Sequence, residues 1–314
     1  MNERLKIDSE VFTIEKGFEL WIQNCKRRGL SMATIDYYNS VANIFMDNIY
    51  YKTKIEEINS KVIDRFILLL QDKNVKTTSI NSYLNGIRSV CNWWAREEYL
   101  DSFKIDKIKC DEVIKETFTE EEIKILLKRP NIKSCAFLIY EAYTLCNLLY
   151  GLGTRASTIC NLKIKDIDLD NGYIFYGKTK NRKQTIIPIG KTLIYILKEF
   201  LLYRKGNPDD YVFVNAHGKK LDKDRLYEIM KRYYLSKGVT KTGIHIWRHT
   251  FARDYIKNGG NALKLQAQLC HATLDMTKKY VNLYGNDMRD DINNPLELLN
   301  SKNEKINMIK WKEK

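Results

Sequence analysis

The pattern of apolar and polar positions indicates a helical region between about Glu10 and Tyr99. Apolar residues recur there at i, i+3, i+4 and i+7, the spacing of one buried helix face. One regular stripe consists of Thr34, Ile35, Tyr38, Ala42 and Phe45, and another of Ile80, Tyr83, Leu84, Ile87, Val90, Cys91 and Trp94. The pattern predicts a bundle of about four helices, with Thr77, Thr78 or Ser79 as the N-cap of the last one.

The pattern changes after residue 100. Residues 101–117 are charged and lack helical spacing, which is typical of a linker, and the sequence from Thr119 to Glu122 is a capping box that predicts a new helix. The almost continuous apolar run from Ala136 to Tyr150 predicts a helix at the centre of a second core. Further helices are predicted over Thr192–Arg204, over Lys223–Tyr234 and between residues 245 and 280.

Strand signals occur in one place only. Tyr173–Tyr176 and Thr185–Ile187 alternate in the manner of strands and flank a basic connection from Gly177 to Lys183, which predicts a β-hairpin. The expected fold class is therefore mainly α with a small antiparallel β-sheet. At 314 residues, two domains are the natural expectation. We predict a helical domain over residues 1–103, a linker over 104–118, a second domain over 119–290 and a C-terminal tail over 291–314.

Charge and composition narrow the class of partner. Of the formal charge of +14, residues 1–110 carry +2 (17 Lys and Arg against 15 Asp and Glu) and residues 111–314 carry +12 (36 against 24). Such an excess favours a polyanion as partner, although charge alone does not exclude a soluble, Lys-rich surface without a nucleic acid role. The odd number of cysteines, without a C-x-x-C pair, predicts reduced thiols in a cytoplasm. No run approaches the ~20 apolar residues of a membrane span, and no signal core begins the chain.

Five residues in the second region suit phosphodiester chemistry. Arg155 lies in Gly-Leu-Gly-Thr-Arg-Ala-Ser, and His245 and Arg248 lie in His-Ile-Trp-Arg-His; His271 follows, with Tyr280 nine residues later. Arginine donates bidentately to phosphate oxygens and stays protonated. A phenol with a pKa of ~10 becomes a nucleophile only where cations stabilise the phenolate. The set could therefore clamp a phosphodiester and attack it.

These motifs resemble the tyrosine recombinase, or phage integrase, family, including its Xer-like members. The family's boxes are an Arg in box I, H-x-x-R-[HK] in box II, and [HW] followed nine residues on by the nucleophilic Tyr. The resemblance covers roughly residues 119–285, and the N-terminal helices look like the family's SAM-like core-binding domain. It implies a catalytic set in which Tyr280 is the nucleophile and the others are Arg155, Lys180, His245, Arg248 and His271.

The lysine of that set comes from the predicted hairpin. In the family, a lysine in the β-turn about eight residues before a strand-closing proline protonates the leaving oxygen. Counting back from Pro188 selects Lys180, with Lys178 as the alternative. The remaining basic residues of the tip are expected to touch DNA phosphates: Lys178, Arg182 and Lys183.

Several positions depart from the family pattern or admit another interpretation. Thr158 replaces the usual Glu of box I. Cys270 replaces the Gly of Leu-Gly-His, where a side chain is expected to shift the turn slightly. His249 is expected to pack beneath the site. His245 and His249 have the i, i+4 spacing of zinc proteases, but Ile rather than Glu follows the first, and no third ligand is evident. A Cys270–His271 nucleophile is disfavoured because adjacent residues rarely face each other, and Tyr284 is the nearest rival nucleophile.

The resemblance implies a site-specific DNA recombinase that works without metal, ATP or other cofactor. It would form a 3′-phosphotyrosine intermediate and a Holliday junction, as a homotetramer on double-stranded DNA with paired core sites, or with a partner recombinase. Its tail would dock in a neighbouring protomer or pack on its own protomer, and the short N-terminus predicts simple core sites. A prokaryotic or phage protein at the nucleoid is expected, either from a mobile element, which the departures favour, or from a resolution system. The alternatives are a non-catalytic DNA-binding protein with this fold and a relaxing enzyme of the type IB topoisomerase kind.

Overall fold

A computed structural model describes residues 12–111, 115–177, 185–215, 217–271 and 273–284. The chain forms two compact units, Met1–Val113 and Ile114–Lys314. Each unit has its own hydrophobic core. None of the helices in the described part of the chain is both long and apolar enough to cross a bilayer. All seven cysteines are free thiols.

The described residues of the N-terminal unit form four α-helices. They are α1 (Ile14–Arg27), α2 (Met32–Asn48), α3 (Ser60–Asp72) and α4 (Thr77–Arg96), with a 3-10 turn at Ile55–Glu57. The side chains of Thr13, Ser31 and Asn59 cap the first three. The predicted cap of α4 is wrong: Lys76 occupies the N-cap without a side-chain hydrogen bond, since Thr77 to Ser79 already form the first helical turn.

Part of the segment with linker composition packs against the N-terminal unit. Ile105 is buried in its core, and Arg88 Nε donates to the Ile105 carbonyl at 2.9 Å. Asn81 exchanges two hydrogen bonds with the main chain of Ile108, at 2.8 and 2.9 Å. These contacts join side chains of α4 to an extended main chain, so they leave no periodic signal in the sequence.

The second unit is mainly helical with a small antiparallel sheet, as predicted. Its helices are α5 (Glu120–Leu126), α6 (Phe137–Leu152), α7 (Ala156–Ile159), α8 (Lys191–Arg204), α9 (Lys223–Ser236), α10 (His245–Lys257), α11 (Ala262–Gln268) and α12 (Asp275–Tyr284). The sheet has the order β1 (Ile167–Asp168), β2 (Tyr173–Tyr176) and β3 (Thr185–Pro188). Ile174 pairs with Ile187, both buried. β1 was not predicted because two residues are too short for a pattern.

Two sequence signals hold at the start and centre of this unit. The capping box is present, with the Thr119 hydroxyl accepting from the Glu122 main chain and the Glu122 carboxylate accepting from the Thr119 main chain. Most of α6 is buried, although Phe137 to Ile139 in its first turn are exposed, and the helix packs against α8, α9 and α10. This central helix is the support on which α10 carries the box II residues.

Candidate active site

Helix α10 is fixed by one large buried side chain. Trp247 is fully buried, donates from Nε1 to the Tyr234 hydroxyl at 2.8 Å, and packs on Phe118 with ring centroids 4.5 Å apart. The spacing of i, i+3 and i+4 places His245, Arg248 and His249 together on another part of the helix surface. Anchoring Trp247 therefore orients all three.

Arg248 is a buried cation without an acidic partner. It is 6% exposed, and its Nη1 and Nη2 donate to the carbonyls of Gly153 and Leu269, both at 2.8 Å. No carboxylate in the described residues pairs with it. Burial, followed by the charge of Arg155, lowers the pKa of Arg248 to about 10, so it stays protonated at neutral pH. A buried, uncompensated cation favours binding of an anion.

Arg155 reaches the same site through a glycine turn. Gly153 ends α6 with φ of +59°, and a Cβ there would lie 2.4 Å from Phe251 Cδ1. Arg155, two residues later, is the N-cap residue of α7 and is partly buried. Its guanidinium has no hydrogen bond or ion pair to any residue that the structure describes. Thr158, at the position of the family's Glu, donates only its main-chain N–H to the Arg155 carbonyl, at 2.9 Å.

Tyr280 lies on α12 with two histidines beside it. Its side chain is 9% exposed, and its hydroxyl lies 2.7 Å from Nδ1 of His249. On another side the ring of His271 is parallel to the phenol, with an interplanar angle of 7° and centroids 6.3 Å apart. Tyr280 also interacts electrostatically with Arg248. The phenol thus lies among the groups that the motifs single out.

His271 and His245 complete the group. His271 Nδ1 is 2.8 Å from the hydroxyl of the buried Thr277, which orients the ring. Burial, then the charges of Arg248 and Arg155, lower the pKa of His271 to about 4. His245, at the exposed start of α10, has a pKa lowered by partial desolvation and then by the same two arginines and Lys223. His271 is therefore neutral at pH 7.

Cys270 occupies a backbone conformation that suits glycine. Its φ is +50°, in the left-handed region, at the turn between α11 and His271. The preceding carbonyl, of Leu269, is the one that accepts from Arg248. The substitution for the family's Gly thus leaves the left-handed turn in place and puts a strained residue beside the site.

Other predicted residues lie outside the described part of the chain. These are Lys178, Lys180, Arg182, Lys183 and the tail. Tyr284 ends α12, and its side chain is likewise outside the description. No group of three or more His, Cys, Asp or Glu side chains able to hold a metal is found within the described residues.

Sequence reasoning missed the contact between His249 and Tyr280. His249 was expected to pack beneath the site, yet its ring nitrogen meets the phenol oxygen. The available signal was its spacing, since i+4 from His245 places it on the same part of the helix. The roles of Thr277 and of the two carbonyls that hold Arg248 had no sequence signal.

Comparisons with known proteins agree with this geometry. The Phage integrase family model matches residues 116–286. The chain is 28% identical over 277 residues to tyrosine recombinase XerD of Oceanobacillus iheyensis, covering 84% of this chain and 92% of that one. It is 28% identical over 271 residues to tyrosine recombinase XerA of Pyrococcus horikoshii, covering 84% and 88%.

Solved structures share the fold at lower identity. The Tn1549 transposon integrase in complex with transposon right end DNA matches with a TM-score of 0.71 at 17% identity, covering 91% of this chain and all of that one. A lambda integrase dimer bound to a core site matches with a TM-score of 0.69 at 17% identity, covering 86% and 95%. The chain belongs to the phage integrase family of tyrosine recombinases.

Proposed function

We propose that this protein is a site-specific DNA recombinase that cuts and rejoins DNA through a 3′-phosphotyrosine formed by Tyr280. The observation that carries the proposal is the cation pair of Arg248 and Arg155, which act on the same site beside Tyr280. Arg248 is buried, and neither guanidinium pairs with a carboxylate among the described residues. Two guanidiniums with no anion of their own suit the two non-bridging oxygens of a phosphodiester.

Arg248 can bind phosphate without giving up its support. A guanidinium has five N–H donors, and here two are directed at main-chain carbonyls. The remaining donors are available for a phosphate oxygen. The carbonyls thus fix the guanidinium before DNA arrives, which keeps the cost of reorganisation low in the transition state.

The cleavage step also needs an acid for the departing oxygen. When Tyr280 Oη attacks phosphorus, the bond to the 5′-oxygen breaks and that oxygen takes up a proton. We assign the proton to Lys180, and assign phosphate contacts to Lys178, Arg182 and Lys183. Because the phosphotyrosyl bond retains the energy of the phosphodiester, religation by the free 5′-hydroxyl requires no ATP. The proposed chemistry includes no metal.

Recombination requires several protomers on paired sites. Solved relatives of this fold are a lambda integrase dimer bound to a core site and a lambda integrase tetramer bound to a Holliday junction. We propose the same assembly, in which the helical domain predicted over residues 1–103 also binds DNA and residues 291–314 dock between protomers. Deleting residues 292–314 should weaken cooperative assembly on DNA without preventing binding by one protomer. Unchanged tetramer formation would contradict the role of the tail.

The deciding experiment is covalent capture. The purified protein is incubated in EDTA with nicked duplexes from DNA flanking its own gene, and a denaturing gel separates protein-linked DNA. We expect a linked band with the wild type and with Tyr284→Phe, and none with Tyr280→Phe. Specific binding without a band for any protein would favour the non-catalytic alternative.

A second substrate separates recombination from relaxation. Supercoiled plasmids with and without the identified site are incubated in EDTA. Recombination predicts products only from paired sites, whereas efficient relaxation of a plasmid without the site would favour an enzyme of the type IB topoisomerase kind.

A further inference from the structure

The contact between His249 and Tyr280 carries an inference about how the nucleophile is activated. We infer that His249 is a catalytic base, whose Nδ1 takes the proton from the Tyr280 hydroxyl as the phenol attacks phosphorus. This inference rests on the proposed function, because it assigns a role within that reaction. It differs from the expectation that His249 only packs beneath the site.

Geometry favours His249 over its neighbours for this role. The Nδ1–Oη separation of 2.7 Å is within hydrogen-bond reach, as proton transfer requires. The rings are tilted by 38°, with centroids 5.9 Å apart, so they meet through the nitrogen and the hydroxyl rather than by stacking. His271 instead presents a parallel ring to the phenol and directs its Nδ1 at Thr277.

The protonation state of His249 is compatible with a base. Burial, then the charges of His245, Lys115 and Arg248, lower its pKa to about 4. The imidazole is therefore neutral at pH 7, and the tautomer with hydrogen on Nε2 leaves Nδ1 as an acceptor. A DNA phosphate beside Arg248 adds negative charge and raises the proton affinity of His249 toward the working pH.

The step balances without another reactant. The bond from Oη to phosphorus forms, the bond from phosphorus to the 5′-oxygen breaks, and the Oη proton moves to Nδ1. The 5′-oxygen receives its proton from a separate acid, Lys180 in the proposed function. In religation the 5′-hydroxyl attacks phosphorus and gives its proton back to Lys180. The phosphotyrosyl bond breaks, and the imidazolium returns its proton to Oη. His249 and Lys180 thus have opposite roles, and substrates can distinguish them.

Two variants separate a base from a hydrogen-bonding support. His249→Asn places an amide near the position of Nδ1, so it can hold the phenol but cannot accept its proton. His249→Ala leaves space for imidazole added to the buffer. We expect both to slow formation of the Tyr280–DNA adduct by about 10²–10⁴-fold at unchanged DNA binding, and imidazole to restore part of the rate to the alanine variant alone. His217→Asn, at an exposed loop histidine, is the matched control.

A modified substrate and a pH profile complete the test. With sulfur in place of the bridging 5′-oxygen, the leaving group needs no acid. The rate of adduct formation by Lys180→Ala should therefore recover, whereas that of His249→Asn should remain slow.

The wild-type rate of adduct formation should rise with pH and then level off as His249 loses its proton. The rate of His249→Asn should instead keep rising with hydroxide concentration.

Each outcome bears on one conclusion. If His249→Asn formed the adduct at the wild-type rate, His249 would be a positioning residue and the inference would be overturned. The proposed function would not be affected, because it is tested separately by the loss of the adduct in Tyr280→Phe. Recovery of His249→Asn with the sulfur substrate would also overturn it, because the deficit would then lie in leaving-group protonation. Failure of the wild type to form any adduct would contradict the proposed function, and the inference with it.

Discussion

The two units bury different kinds of side chain. Among the described residues, the buried polar groups of the N-terminal unit are the amides of Asn24 and Asn81, and the rest of its core is apolar, with a cluster of aromatic rings among aliphatic side chains. The second unit buries a guanidinium, Arg248, and a carboxyl group, Glu141. Burying an unpaired charge destabilises a fold. A buried charged side chain without a partner therefore marks a position where core packing does not explain why that residue is present.

Arg248 and Glu141 differ from each other in their surroundings. Arg248 converges with Arg155 and Tyr280, and its charge is retained. Glu141 is fully buried on α6, and neither carboxyl oxygen has a hydrogen-bond partner of ordinary geometry among the described residues. Burial raises its pKa to about 7, against the opposing effects of the Val214 main chain and the Arg204 charge. Convergence with the proposed nucleophile, Tyr280, rather than burial alone, marks the candidate site.

The largest effect on stability is expected in the aromatic core of the N-terminal unit. Trp94 is fully buried, lies 5.3 Å from Phe18 between ring centroids, and donates to the Gly17 carbonyl at 3.2 Å. Trp94→Ala should lower the free energy of unfolding by about 3–5 kcal/mol, measured by urea denaturation. Leu68→Ala, on the exposed side of α3, is the control and should change it by under about 0.5 kcal/mol. Equal losses would mean that this core is not the source of stability.

In the second unit, substitution of the buried Arg248 should lower the rate of the reaction rather than the stability of the fold. Arg248→Lys keeps the charge but loses the planar fork that joins two carbonyls to the phosphate. We expect adduct formation to slow by about 10²–10³-fold. Arg253→Lys is the matched control, because Arg253 lies on the same helix but pairs with Asp254 and with Thr117. The fraction of unfolded protein is measured on the same samples. If the loss of adduct formation matched that fraction, it would count against a direct role for Arg248.

The same contrast explains what the sequence could predict. Periodicity predicted a bundle of about four helices in the N-terminal unit, with apolar stripes on α2 and α4, and it also located α6, α8 and α9. The capping box at Thr119 and the β-hairpin are equally local. Packing of residues 101–108 could not be predicted, since it depends on Asn81 and Arg88 meeting a distant main chain.

For the candidate site, motif spacing selected Arg155, Arg248, His271 and Tyr280 without showing how they are held. The contact of His249 with a residue 31 positions away depends on how α10 and α12 pack. The left-handed backbone of Cys270 was suggested only by the family's Gly at that position. Spacing thus selects residues for chemistry, and tertiary packing decides which atoms meet.

A smaller effect is expected from Glu141, and it depends on pH. Because its folded-state pKa lies above the ordinary 4.5, its contribution to stability is fully present below pH 4.5 and is lost as pH rises through 7. The lowered pKa values of His249 and His271 make the free energy of unfolding rise with pH between about pH 4 and 6.5. This contribution is the same in the wild type and in Glu141→Gln, so it cancels in the difference between them. Relative to the wild type, Glu141→Gln should gain about 3 kcal/mol between pH 4.5 and 8. A difference independent of pH, measured by urea denaturation, would contradict a carboxyl group that is protonated near neutrality.

The smallest effect concerns backbone strain beside the site. A residue with a Cβ at φ of +50° is strained by about 1–2 kcal/mol in the folded state. Glycine lacks this strain, but part of the benefit is lost because glycine has greater conformational entropy in the unfolded state. Cys270→Gly should therefore raise the free energy of unfolding by about 0.5–1 kcal/mol. Asn74→Gly, at φ of +55° in the N-terminal unit, is the control and should change little because asparagine tolerates this conformation. Thermal or urea unfolding could instead show a higher free energy of unfolding for Asn74→Gly and no change for Cys270→Gly. Contacts of the Cys270 thiol would then offset the backbone strain, so that stability at this turn would depend on the side chain rather than on the backbone.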